Sequence, residues 1–141
     1  MVFPFEYYVL AAAHTAPTSI ERASGVYLLN AADARHLQRY FDPLYETHGI
    51  GICTSDDEVI VGESLRPVAD AVRRAIAEIE QGPPTWPVTI GFRLKSLPED
   101  LGDPIVQEAS RERLLSFLRD VAQHVQRAIE SGGCVHFGGG H

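Results

Sequence analysis

The sequence predicts an α+β fold of ferredoxin-like type, a split βαβ arrangement (βαββαβ) in which helices cover one face of an antiparallel sheet. Three observations predict it. Leu65, Val68, Ala69, Val72, Ala75, Ile76 and Ile79 recur at helical spacing, the signature of an amphipathic helix. From Gly25 to Lys95 the segments read strand, helix, strand, strand, helix, strand. A second stripe, Leu114, Leu115, Leu118, Val121, Ala122, Val125, Ala128 and Ile129, adds a long C-terminal helix, and an extra strand precedes the unit.

That added strand spans Val2 to Ala12, with Phe3, Phe5, Tyr7 and Val9 on one face. Pro4 lacks an amide donor, which places it at a sheet edge. His14 to Ser24 contains Pro17 and reads as a loop, and Gly25 to Leu29 is the next strand. Asn30 suits a helix N-cap, with Asp33 three residues on. The following helix should bury Ala34, Leu37, Phe41, Leu44 and Tyr45, and Pro43 should kink or end it near Phe41. Gly49 to Thr54 and Glu58 to Val61 form a hairpin around Ser55-Asp56-Asp57.

Ser64 caps the next helix, which runs to Gln81 and stops at Gly82. Gly82 to Pro87 is a stiff connector carrying Trp86. Val88 to Lys95 is a strand with Val88, Ile90, Phe92 and Leu94 on one face. A polar connector follows, and Asp103-Pro104 suits a helix start. Gly132 and Gly133 end the final helix. Residues 1–133 are therefore expected to form one α+β domain, and residues 134–141 a flexible Gly-rich tail in which Val135 and Phe137 can add a brief strand.

The chain has 141 residues, 45% hydrophobic and 22% charged, the composition of a soluble globular domain. No segment approaches the ~18 consecutive apolar residues of a membrane span. The N-terminus lacks the leading positive charge of a signal peptide, and Pro4 and Glu6 interrupt its apolar run. A cytoplasmic location is the expectation. Cys53 and Cys134 lie far apart and make neither a disulfide framework nor a metal knuckle; two reduced thiols fit them better. The net charge of −7 argues against nucleic acid, which requires a basic face. Asp42, Glu46, Asp56, Asp57, Glu58 and Glu63 follow one another with no Lys or Arg between them. They read either as a solvated acidic edge or as a docking surface for a cationic partner.

Candidate sites are few. Cys134, His136 and His141 sit together in the tail, but structural zinc takes four ligands, so His14 or Cys53 would have to join them. A frayed tail is the expectation, with no metal and no cofactor. His36, His48 and His124 read as hydrogen-bonded histidines, because a general base needs an orienting carboxylate and a pocket. Cys53 reads as a core thiol. The acidic run lacks the ligand spacing of a calcium loop, and Gly138-Gly139-Gly140 opens no helix that would cradle phosphate. Trp86, between Pro84 and Pro87, is either a contact anchor or a lid on the core.

Two functional expectations follow. The first is a small acidic, non-catalytic binding or regulatory module, of the immunity or antitoxin-inhibitor kind. It would contact a basic protein partner through Trp86, Asp56, Asp57, Glu58 and the aromatic edge residues Tyr7 and Tyr8. The alternative is a small dimeric enzyme or ligand-binding protein with a pocket between sheet and helices, lined by Tyr27, His36, His48 and Arg93. A cavity of a few hundred Å³ with converging polar groups separates the second from the first.

Overall fold

Three helices carry the apolar stripes seen in the sequence: α1 (Ala31–His48), α2 (Leu65–Glu80) and α3 (Arg111–Ser131). The computed structural model describes residues 7–10, 26–52, 58–94 and 101–137. Asn30 is extended, and its side-chain oxygen accepts the Asp33 N–H at 2.7 Å, which satisfies one of the free amides of the first turn. Ser110 does the same for α3 through the Arg113 N–H. Ser64 makes no such side-chain bond; a short 3-10 turn, Gly62–Ser64, leads into α2 instead.

Pro43 was expected to kink or end α1 near Phe41; it does not end the helix, which continues to His48. Pro43 and its neighbour Asp42 face solvent, so water can take the carbonyl left without its amide partner. Gly49 ends the helix at φ 69, a left-handed turn that suits glycine, and Ile50 N–H then donates back to the Leu44 carbonyl. Tyr45, expected in the core, is 67% exposed, and Tyr40 is buried in its place. The inward face of α1 is Leu37, Tyr40, Phe41 and Leu44.

The core is one cluster in which Leu37 and Phe41 of α1, Val68, Val72 and Ala75 of α2, and Leu114, Leu118, Val121 and Val125 of α3 meet. Phe117 joins it although it lies beside the expected stripe, while Ala122 and Ile129 pack at its margin.

The described strands are β1 (Tyr7–Leu10), β2 (Val26–Leu29), β3 (Glu58–Val61), β4 (Thr85–Leu94), β5 (Leu101–Ser110) and β6 (Cys134–Phe137). The fold is α+β. Its described ladders are three antiparallel pairs, β1–β2, β3–β6 and β4–β5. Each of β2, β3 and β4 thus pairs with a strand outside the six-element unit expected from the sequence, and these ladders do not join into the βαββαβ sheet. Residues 53–57, the expected hairpin turn, lie outside the described residues, and Gly49 to Ile52 form no strand.

Two further expectations are corrected here. Asp103-Pro104 does not begin a helix but lies within β5, with Pro104 opposite Phe92. Ile105 and Val106 favour extended backbone, and a strand in a two-stranded hairpin has an outer edge on which proline breaks no ladder bond. The register also slips between Thr89 and Gly91, where Ile90 is an extra residue. The bulge rotates the strand, so Val88 and Ile90 pack against the core while Phe92 is exposed. One continuous apolar face, as expected for β4, is therefore not formed.

In the tail, the brief strand allowed for at Val135 and Phe137 is present, and residues 134–137 do not fray: β6 pairs along β3, and Cys134, Val135 and Phe137 are buried. Gly132, at φ 72, and the Gly133 N–H to Ala128 carbonyl bond of 2.9 Å turn the chain back from α3. Strand partners as far apart in sequence as Glu58 and Phe137 leave no mark on local composition. Residues 138–141 lie outside the described residues.

Candidate functional site

The connector leading into β4 is tied to the start of α3 by Arg111. Its backbone N–H donates to the Pro84 carbonyl at 3.0 Å and its guanidinium to the Gly82 carbonyl at 2.7 Å. These two bonds stiffen the Gly82–Pro84 connector and set where Trp86 emerges. Trp86 is half-buried, and its indole N–H donates to His36 Nδ1 at 3.2 Å. The two rings meet edge-on, with centroids 4.7 Å apart, and Tyr40 lies one turn further along α1, 5.9 Å from His36.

Around these rings the fold leaves a concavity of about 300 Å³. Helix α1 supplies His36, Arg39 and Tyr40; the end of α2 supplies Glu78 and Ile79; Gly82, Pro83 and Trp86 close it. Helical geometry explains the α1 wall, because positions 36, 39 and 40 share one face.

The electrostatics of the site follow from its burial. An indole nitrogen can only donate, so His36 Nδ1 is the acceptor and the neutral ring carries its proton on Nε2. Burial pushes the His36 pKa down to about 4; the Arg39 charge adds to this, and Asp33 and Glu78 oppose it. The imidazole is therefore uncharged at neutral pH. Burial likewise pushes the Tyr40 hydroxyl up to about 12, helped by its hydrogen bond to the Glu78 carboxylate. Arg39 and Arg74 both act on Tyr40 through their charge, and among the described residues neither is in an ion pair.

Of the residues singled out by sequence, the structure brings His36 and Trp86 together, although they were assigned to different readings. His48, the last residue of α1, is exposed and hydrogen-bonds Thr47 Oγ1 at 2.7 Å, away from the concavity. Arg93 is exposed on β4 and does not line it. Tyr27 lies on β2, opposite Val9, while Tyr7 and Tyr8 pair with Leu29 and Leu28; their side chains fall outside the described residues. Asp56 and Asp57 lie outside them altogether, as do Cys53, His14 and His141. Glu58 pairs with Phe137 and His136 with Val59, with no description of either side chain. His124 is buried in α3, and burial lowers its pKa. Among the described residues no group of three His, Cys, Asp or Glu is placed to hold a metal ion, and no helix is long and apolar enough to cross a membrane.

Sequence reasoning missed Arg39, Tyr40 and Glu78. The signal for Tyr40 was present: four residues after His36, it shares that helix face. Nothing local links Glu78 to either residue.

A second concavity, of about 460 Å³, lies where the chain turns back after α1, between Phe41, Tyr45 and the Ile50–Ile52 segment. Its charged residues among the described ones, Asp42 and Glu46, are both acidic. The concavity at Trp86 is the one in which rings, donors and acceptors converge. Comparison of the chain with protein-family models, with curated proteins and with solved structures finds no match.

Proposed function

We propose that this protein is a small-ligand-binding module whose recognition site is the concavity between α1, the end of α2 and the start of β4. One observation carries the reading: His36, Tyr40 and Trp86, together with Arg39 and Glu78, surround a space of about 300 Å³. That volume is at the small end of ligand pockets, which pair apolar walls with a few placed polar groups. Two helices and one strand build the site, so the reading does not depend on the ferredoxin-like sheet order.

Binding fits better than acid–base catalysis. His36 holds a proton on Nε2, and its one lone pair, on Nδ1, is engaged by the indole N–H, so the ring is a poor base at neutral pH. No serine, threonine or cysteine lines the described walls. The expectation of a docking surface for a basic protein has less to stand on. Trp86, its central residue, forms a wall of the concavity and is tied to His36 rather than projecting.

The test uses amide chemical-shift titrations of the protein with benzoate, benzamide and benzylamine at millimolar concentration. Saturable shifts centred on His36, Tyr40 and Trp86 with at least one probe support the reading. No saturable shift with any of the three overturns it.

A further inference from the structure

We infer that this site selects a small-molecule carboxylate carried on a flat apolar body. The inference rests on the ligand-binding reading and specifies its ligand. Two acceptors around the cavity already hold a donor: His36 Nδ1 takes the indole N–H and the Gly82 carbonyl takes Arg111. The Glu78 carboxylate faces the Tyr40 hydroxyl and holds it protonated. The groups still open are donors: the guanidinium of Arg39, which is in no ion pair with a described residue, and the Nε2–H of His36. A ligand that brings acceptors satisfies both of these open donors, whereas a ligand that brings only donors leaves them unpaired.

A planar carboxylate matches a guanidinium fork with two parallel hydrogen bonds and keeps lone pairs for a third donor. Arg74, close enough to act on Tyr40, adds positive potential. Glu78 sets the limit on charge. Its negative charge, close enough to raise the His36 pKa, penalises a dianion more than a monoanion, which favours a carboxylate over a phosphate monoester. The walls made by Trp86, Ile79 and Pro83 take the body of the ligand, and an aromatic ring suits an indole neighbour. The size argues for a free small molecule, since about 300 Å³ holds one ring and its carboxylate.

Four probes test this by chemical-shift titration: benzoate, benzamide, benzylamine and phenyl phosphate. Benzoate should bind about tenfold more tightly than benzamide, with phenyl phosphate weaker than benzoate and benzylamine weakest. Arg39→Gln, an exposed change on a helix surface, should bring benzoate down to the wild-type level of benzamide. Benzamide binding as well as benzoate, benzylamine leading the series, phenyl phosphate matching benzoate, or Arg39→Gln leaving benzoate unchanged would each overturn the carboxylate inference while the ligand-binding reading stands. Silence from benzoate, benzamide and benzylamine alike removes both.

Discussion

Asp33 is fully buried and joins three parts of the chain. One carboxylate oxygen accepts the Ser110 N–H at 2.9 Å, and the other accepts Arg113 Nε at 2.8 Å. Arg113 in turn reaches the Glu108 carbonyl, as does the Asn30 side chain. The N-terminus of α1 is thereby locked to the junction of β5 and α3. Removing the carboxylate leaves a buried amide and a half-exposed guanidinium without their acceptor. Asp33→Ala should lower stability by about 2–4 kcal/mol. Glu63→Ala, which breaks the exposed pair with Arg66, should leave it essentially unchanged. Urea denaturation of both variants checks the contrast; equal midpoints would show that the Asp33 network adds nothing.

His36 makes the residue scale sensitive to pH. Its pKa is about 4 in the folded protein against 6.5 for the free side chain. Between these values the unfolded chain binds more protons, so stability rises with pH from about 4 to 6.5, and this group contributes no slope above that window. Below about 4 the ring is an imidazolium whose Nδ1–H opposes the indole N–H. Trp86 emission should therefore change with a midpoint near 4. His36→Asn keeps an acceptor for the indole and removes the titration, so the rise in urea midpoint between pH 4.5 and pH 7 should shrink. An identical rise in the variant would mean that other groups, such as His124, set the slope.

At the scale of elements, α3 and β6 act as one unit. Leu118 is fully buried in the core cluster, and Leu118→Ala should cost about 2–5 kcal/mol. The sequence alone predicts that loss of the tail is harmless. In the structure β6 covers β3, and Phe137 is a buried core residue. Truncation after Gly133 should expose the β3 edge and lower the thermal midpoint sharply, with Phe137→Ala alone costing about 3–5 kcal/mol. A truncated chain that melts with the wild type would return the tail to its first description. The β4–β5 hairpin shows the other side of element formation, because its bulge sends Phe92 and Val106 outward. Two exposed apolar side chains of this kind are ordinary on a protein surface.

For the whole molecule, charge and His36 act in the same direction on acidification. The chain carries a net charge of −7 at neutral pH and has an isoelectric point near 5.3. Repulsion between copies disappears near that pH, inside the window where the His36 linkage also weakens the fold. Light scattering should therefore rise to a maximum close to pH 5 and be suppressed at pH 7. Added salt should enhance scattering at pH 7, where it screens the repulsion. A flat profile from pH 4.5 to pH 7.5 would show that self-repulsion does not keep the copies apart.

The sequence by itself determined the features that depend on neighbours along the chain. The stripes of α2 and α3 repeat every three to four residues, so their inward faces were readable from spacing alone. Asn30 capped α1 as expected because its partner, Asp33, is three residues away. Only the tertiary structure decided what depends on distant partners. Pro43 stays within α1 because that side of the helix faces water. Asp103-Pro104 becomes strand because Phe92 lies opposite, and residues 134–137 become β6 because β3 offers an edge. The site is the clearest case: His36 and Trp86 were each visible as notable residues, but their hydrogen bond spans 50 positions. Arg111, itself far along the chain, sets the connector that brings Trp86 to His36. Periodicity and capping are local energies that a linear reading can sum, whereas strand partners and converging side chains are chosen by which surfaces the folded chain can bury together.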